Sequence, residues 1–391
     1  MRECYLLQRH LSVLFVLLFV IVSGCRDNPF SPDDGTPLEA GSLRVETVVS
    51  GLDTPWDLAW GPDGMIWVTE RRGVISRVDP TTGELTQVGQ IPDVVEVSES
   101  GLMGLALHPD FDAQPFVYVM YSFRAADGSL RNRLARLRFD GAGLGNPETL
   151  LDDIPGAPNH NGSRLAVGRD DRLYVTTGDS QNTSLPQNVS SVAGKVLRLT
   201  LDGQPAPGNP FGSAVYSYGH RNPQGLVFHP DTGDLYLTEH GPNDNDEVNR
   251  VEAGGNYGWP NVRGFCDGDA PNELAFCQQN DVIEPVEAWT PTIAVAGADF
   301  YDADLIPGWR GSLLVTTLAG RTLLRLTLSG DGSRAVGQES LFRNQFGRLR
   351  DVLVGPLGEI YLATSNRDGR GSPTSDDDRI LRIVPEGVLT D

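Results

Sequence analysis

Positive charge is in short supply. The 391-residue chain carries 31 Lys and Arg against 52 Asp and Glu, a formal net charge of −21 at pH 7. A nucleic-acid binder needs a basic face to displace counterions from phosphate, so that class is excluded. Long hydrophobic runs are also lacking. The apolar run Leu11–Val22 spans about a dozen residues, short of the ~20 that a stable bilayer anchor needs. Beyond it no apolar pattern of helical period continues, which rules out an alternating strand–helix barrel. G-x-x-x-x-G-K-[ST], G-x-G-x-x-G, H-E-x-x-H and G-x-S-x-G are all absent. A phosphate-binding loop, a zinc-protease helix and a serine-hydrolase elbow are therefore not expected. Cysteine is rare, with four in the chain and no Cys-x-x-Cys-His for haem.

Gly (45) and Pro (27) are plentiful but spread without a Gly-X-Y period, so collagen is excluded. Apolar residues make up 39 %, with 6 Trp, 10 Tyr and 14 Phe. That is enough for a core and too much for a disordered chain.

The N-terminus reads as an address. Arg2 and Arg9 precede the apolar run, which ends in Val22-Ser23-Gly24-Cys25. This resembles the lipobox of bacterial lipoproteins, which would make residues 1–24 a signal peptide, Cys25 the lipid-bearing thiol, and residues 25–41 a flexible tether rich in Pro, Gly and Ser. The alternative is an ordinary signal peptide with an incidental cysteine. Either way the chain is expected to be exported, periplasmic or outer-surface, with a lipid on Cys25 as its only link to a membrane. Cys266 and Cys277 remain, eleven apart in a loop-like stretch. In an exported protein such a pair most simply forms a disulfide; a two-thiol metal site is the other option, though no His flanks it.

Residues 42–391 repeat one unit. A short apolar strand, a Gly/Pro/Asp turn, a second strand and a third strand follow one another around Gly61-Pro62-Asp63-Gly64, His108-Pro109-Asp110, Asp170-Asp171, His229-Pro230-Asp231-Thr232-Gly233 and Gly355-Pro356-Leu357-Gly358, with a weaker copy at Leu313–Thr317. The middle strands are marked by Val68, Val119, Val175, Leu237, Val315 and Leu362, at intervals of 51, 56, 62, 78 and 47 residues. Six units at this pitch predict an all-β, six-bladed β-propeller. A sandwich would not repeat the turn six times. The longest interval holds an insert at about 252–290.

The fold then predicts a site. Residues just before each first strand and just after each second strand meet on one face, around the central channel. They are Glu99-Ser100-Gly101, Asn159-His160-Asn161, Gly219-His220-Arg221-Asn222 and Arg348-Leu349-Arg350, with Glu70-Arg71, Gly178-Asp179, Glu239-His240-Gly241-Pro242 and Ala319-Gly320-Arg321. The unusual polar residues of the chain collect there. Of the histidines, His108 and His229 read as turn residues and His220 as structural. His160 and His240 have better functional claims, and Asp179 ends the next strand of the His160 blade. A carboxylate beside a His is a general-base arrangement, because it orients the ring and stabilises its protonated form.

Several longer motifs carry a resemblance. Leu197-Arg198-Leu199, Gly219-His220-Arg221-Asn222-Pro223-Gln224-Gly225, Glu239-His240-Gly241-Pro242, Asp246-Glu247-Val248-Asn249 and Gly254-Gly255-Asn256-Tyr257-Gly258-Trp259-Pro260 resemble the soluble quinoprotein glucose/sorbosone (aldose sugar) dehydrogenases, from about Thr54 to Val384. That resemblance implies a six-bladed propeller holding pyrroloquinoline quinone (PQQ) and Ca²⁺ on its top face. It implies an enzyme that passes hydride from the sugar C1–OH carbon to the quinone and hands the electrons to an external acceptor. His160 matches the general base and Asp179 its supporting carboxylate. Arg221 and Asn222 match residues at the quinone oxygens. Arg348 and Arg350 match arginines facing the quinone's carboxylates, and Glu99 and His240 complete the cofactor-binding residues. Gly241 and Pro242 match carbonyl ligands of calcium. Arg263, Phe265 and Asp267 fall where some members hold a second calcium, Asp267 by its side chain.

Three positions depart from the family pattern. A glutamine is replaced by Glu99, a lysine by Ala319, and an Ala-Pro-Ser-Gly stretch by Ala294-Val295-Ala296-Gly297. The first two make the site more negative and oppose a tricarboxylate, with Arg321 a candidate replacement for the lysine. They motivate an alternative, a non-catalytic sugar- or protein-binding propeller. A calcium-dependent lactonase is a third reading, disfavoured because the matched ligands are backbone carbonyls.

Overall fold

The computed structural model describes residues 43–387. The expected signal peptide, Cys25 and the 25–41 tether lie outside them. No helix among the described residues is long and apolar enough to cross a membrane.

Strand β1 (Leu43–Ser50) opens the chain. The first sheet is β2 (Pro55–Trp60), β3 (Ile66–Glu70), β4 (Val74–Val78) and β5 (Leu85–Gln90), paired in that order. The second is β6 (Leu102–Leu107), β7 (Phe116–Arg124), β8 (Leu130–Arg138) and β9 (Glu148–Pro155). The third is β10 (Gly162–Val167), β11 (Arg172–Thr177), β12 (Lys195–Thr200) and β13 (Val215–Tyr218). The fourth is β14 (Pro223–Phe228), β15 (Leu235–Glu239), β16 (Asp246–Val251) and, after the helix α1 (Glu273–Asn280), β17 (Glu287–Trp289). The fifth is β18 (Val295–Phe300), β19 (Leu313–Thr317), β20 (Leu323–Leu328) and β21 (Ala335–Leu341). The last is β22 (Leu349–Val354), β23 (Ile360–Thr364) and β24 (Arg379–Pro385), completed by β1.

The first strands touch in a ring, β2 to β6, β10, β14, β18, β22 and back to β2. This is the six-bladed propeller that the repeat predicts. Its blades are antiparallel, so turn signals of a few residues suffice to connect them. Second strands pack against neighbouring blades and are largely apolar or β-branched: β3, β19 and β23 are buried at every position, Glu70 at the end of β3 included. Trp67 on β3 meets Phe111 and Phe139 of the next blade edge-on, at 5.8 and 5.1 Å. Burying a side chain of that size contributes about 3 kcal/mol. β1 closes the ring by pairing with β24 from Leu43↔Pro385 to Ser50↔Arg379, which leaves no gap between the first and last blades.

Three elements escape the sequence pattern. The outer strands alternate too weakly to be read, as in β5, where only Val88 is buried. The first strand of the weak fifth copy, β18, has small residues in place of bulky ones. The insert holds an eight-residue helix whose buried residue is Glu273, so no apolar period marks it. Cys266 and Cys277 do form a disulfide, which ties the insert loop to α1.

Two features shape the face. In all six sheets the pairing of first and second strands slips near the start of the first strand, at Pro55/Asp57, Leu102/Leu105, Gly162/Leu165, Pro223/Gly225, Val295/Ala298 and Leu349/Asp351. Such bulges re-aim side chains beside a site. Lower in the channel Arg164 is a plug. Its Nη1 pairs with Asp57 and, at 3.1 Å, with Asp351, and its guanidinium lies 4.5 Å over Trp56. Asp57 accepts from Leu105 N–H at 2.8 Å and Asp351 from Leu58 N–H at 2.7 Å, stitching first strands of adjacent blades. Beside this plug lies a cavity of about 310 Å³ whose lining mixes apolar side chains with Asp57, Arg164, Asp299 and Asp351.

Candidate active site

His160 enters the face on the turn before β10, with a left-handed backbone (φ 63°). Its carbonyl packs against Gly178, where a Cβ would lie 2.0 Å from the oxygen, so a glycine is required there. Ser180 N–H donates to the same carbonyl at 3.1 Å. The turn thus brings His160 to Asp179, with Nδ1 2.8 Å from Oδ1. Asp179 also accepts from Gln181 N–H on Oδ1 (2.7 Å) and from Trp259 Nε1 on Oδ2 (2.9 Å). An oxygen pair that already accepts twice leaves Nδ1 as the donor, so the neutral ring carries its lone pair on Nε2. Asp179 is 1 % exposed and His160 19 %, so the ring reaches solvent and its support does not.

Around this pair lie the other expected residues. The Arg221 guanidinium sits 5.3 Å over Trp259 and its Nη1 donates to His240 O at 3.0 Å. Burial lowers its pKa, against the pull of Asp179 and Glu239. Asn222 Oδ1 accepts from Gly162 N–H at 3.2 Å, tying the fourth blade to the His160 turn. His240 Nε2 donates to Val295 O at 2.7 Å; burial holds this ring below the usual histidine range, with Asp246 and Glu99 opposing. Arg348 Nε donates to Asp368 at 2.7 Å. Arg350 Nη1 donates to Gln224 Oε1 at 2.8 Å, and burial brings Arg350 down to about 10. Arg221 Nε, Asn222 Nδ2 and Arg350 Nε are buried donors with no partner among the described residues. Buried donors are normally satisfied, so this wall is short of acceptors. A quinone with carbonyl and carboxylate oxygens fits that donor set.

Glu99, the acidic departure, has a counter-charge. Arg370 Nη1 lies 2.5 Å from Glu99 Oε1. Burial would raise the Glu99 carboxyl, but His240, protonated at the low pH where Glu99 titrates, the Arg370 pair and Arg350 outweigh it and bring it to about 2. Arg321 is exposed on a left-handed backbone (φ 51°), and its carbonyl accepts from Asn344 N–H. Ala319 is exposed beside it, its N–H held by Ile293 O at 3.0 Å.

Gly241 and Pro242 follow β15. A Cβ at Gly241 would meet Asp244 O at 1.8 Å and Asn245 O at 2.5 Å. Buried Asp246 fastens this turn: it accepts from Gly241 N–H (2.9 Å), Thr292 Oγ1 (2.5 Å), Ile293 N–H (2.8 Å) and Ala294 N–H (2.5 Å). Beneath it is a cavity of about 10 Å³ that Gly241, Pro242, Glu239 and Glu247 help to line. That is the room of one water molecule or one bare cation. Burial, with Glu239 beside it, raises Glu247 to about 8. Among the described residues no three His, Cys, Asp or Glu come together to hold a metal, so a cation here would rest largely on carbonyl oxygens. Asp267 is apart from this turn, exposed in the insert, with Oδ1 accepting from Asp269 N–H at 3.1 Å.

The remaining histidines among the described residues are structural. His108 and His229 accept from Asp110 and Asp231 N–H within their own turns. His220 is fully buried between Ser217 and Glu239, at 2.9 Å each, and stacks on Tyr257. Sequence reasoning missed Trp259, Asp368 and Arg370 as site residues. Trp259 lies in the Gly254–Pro260 motif, but nothing local assigns its indole to Asp179.

The glucose/sorbosone dehydrogenase family model matches residues 52–382. Quinoprotein glucose dehydrogenase B of Acinetobacter calcoaceticus is 30 % identical, over 96 % of this chain and 95 % of its own. An aldose sugar dehydrogenase of Escherichia coli is 31 % identical, over 84 % and 91 %. Among solved structures, the PQQ-bound aldose sugar dehydrogenase of Streptomyces coelicolor superposes with a TM-score of 0.77 and 38 % identity, covering 89 % of this chain and 99 % of that one. The fold, the donor-lined face and these matches agree: the chain belongs to the glucose/sorbosone dehydrogenase family.

Proposed function

We propose that this chain is an exported quinoprotein that oxidises aldose sugars at C1, with PQQ and Ca²⁺ as cofactors and an external electron acceptor. The observation that carries the reading is the Trp259–Asp179–His160 chain, which ends in a solvent-reaching Nε2 on a face short of acceptors. Arg221, Asn222, Arg348 and Arg350 would hold the quinone, with Glu99 and His240 at its rim. Gly241 and Pro242 would offer carbonyls to calcium, and Asp267 a side chain to a second ion. When bound, the quinone supplies the two-electron acceptor for hydride from the sugar C1. His160 takes the C1 hydroxyl proton on Nε2, and Asp179 holds the ring in the tautomer that can do so and stabilises it once charged. Export and a lipid on Cys25 complete the proposal; fatty-acid labelling lost in Cys25→Ala is the check.

The test is a titration of signal-free protein with PQQ and Ca²⁺, followed by quinone absorbance and by dye reduction with a panel of aldoses. Saturable uptake with sugar-dependent reduction is the expected result. No uptake at micromolar quinone by folded protein returns the face to a sugar- or protein-binding role, and lactone hydrolysis without quinone would point to the hydrolase. His160→Ala should lower turnover by ~10² or more while the quinone Kd stays within about threefold; equal losses of both would reject the base assignment.

A further inference from the structure

The counter-charge of Glu99 comes from the sixth blade. Arg370 lies in the loop 365–378 between β23 and β24. From there it reaches the turns before β6 and β10, with Nη1 2.5 Å from Glu99 Oε1 and Nη2 3.5 Å from Asn159 Oδ1. Those turns bracket His160, whose own N–H lies 3.4 Å from Glu99 Oε2.

The loop is built to hold this reach. Buried Asp378 accepts from Asn366 N–H at 2.5 Å and Arg367 N–H at 3.2 Å. Asp377 accepts from Thr374 N–H and Oγ1, at 2.9 and 3.0 Å. Asp368 takes Arg348 Nε on one oxygen (2.7 Å) and Arg370 N–H on the other (2.9 Å). Charge therefore alternates along one line, Arg348, Asp368, Arg370, Glu99. Each acid on it has a cation beside it, and the extra acid at position 99 is matched within the chain.

We propose that Arg370 is the charge-compensating residue of the quinone chamber: reaching in from the β23–β24 loop, it neutralises Glu99, and it does not replace the positive charge absent at Ala319. The inference rests on the quinone reading above. The Arg370 side chain is 52 % exposed and that of Glu99 23 %, so the pair adds little to folding. Its effect belongs to ligand binding. An unpaired carboxylate in this chamber would face a ligand with three negative charges, whereas the pair presents none. Glu99 lies within Coulombic range of Arg350, so its charge reaches the quinone-facing wall.

The test is a double-substitution cycle read as the PQQ dissociation constant of the apoprotein with Ca²⁺, by absorbance titration. Arg370→Ala should weaken binding by about 10-fold, less at 0.5 M salt, because one uncompensated charge acts through a partly solvated chamber. Glu99→Gln should bind at least as tightly as the parent. The double variant should return to within about threefold of the parent, and Arg370→Lys should keep most of the affinity. Thermal midpoints should stay close to the parent's throughout. A double variant as weak as Arg370→Ala, or an Arg370→Ala variant with unchanged affinity, overturns the inference and leaves the quinone reading standing. A parent protein that takes up no quinone overturns both.

Discussion

His160 is set from two directions, by a left-handed turn and by a carboxylate that is itself held. The indole of Trp259 matters because it holds the second oxygen of Asp179, the one that Gln181 N–H does not reach. Trp259→Phe keeps the ring beneath Arg221 and deletes the N–H. It should lower kcat by about threefold to tenfold, the worth of one buried hydrogen bond, with the quinone Kd nearly unchanged. An unaltered kcat would show that Asp179 needs no such support. A second residue-scale effect lies in the channel. Asp299 is held at about 7, because burial outweighs donation from Val354 and Phe300 N–H, against 3.8 when unfolded. Between those values the folded chain binds the extra proton, so this group's contribution is full below about pH 4 and lost as pH rises to about 7. Asp299→Asn should flatten that part of the stability curve. A slope equal to the parent's would place the titration elsewhere.

The insert and the blades differ in how they are held. Inner strands are secured on both faces by neighbouring blades, whereas α1 buries little more than Glu273 and depends on the Cys266–Cys277 bridge. Closing a loop of that length is worth up to about 3 kcal/mol through the unfolded state. Cys266→Ser with Cys277→Ser should expose the insert to proteolysis while the far-UV signal of the propeller persists. Loss of the whole fold together with the insert would contradict that separation. Legibility in the sequence follows the same division. First and second strands of most blades announce themselves by largely apolar runs, and third strands by apolar residues interleaved with arginines such as Arg77, Arg198 and Arg325. Outer strands such as β5 and the short α1 do not, since one face meets solvent or polar neighbours.

At the scale of the whole molecule, ring closure is the controlling event. β1 completes the last blade, and its Glu46 takes Arg382 of β24 at 2.7 Å. A chain beginning at residue 42 should fold cooperatively. One beginning at residue 51 lacks the closing strand, leaves the edge of β24 open, and should aggregate or lose its sharp unfolding transition. Equal thermal midpoints for the two would mean that the ring holds without this strand. The site depends on closure as well, because Arg348, Asp368 and Arg370 all belong to the blade that β1 completes.

By itself the sequence determined the repeat, its six copies, the face where the polar residues collect, and His160 with Asp179. These are local signals: turn residues, alternation along short strands, and positions counted from strand ends. Only the tertiary structure decided that Trp259 supports Asp179, 80 residues away, and that Arg370 answers Glu99, 271 residues away. It also left Arg321 exposed and Asp267 apart from the turn of Gly241 and Pro242. The physical reason is that a propeller sets side chains face to face across its ring through blade packing, and no short-range pattern in the chain encodes which loop reaches across to which.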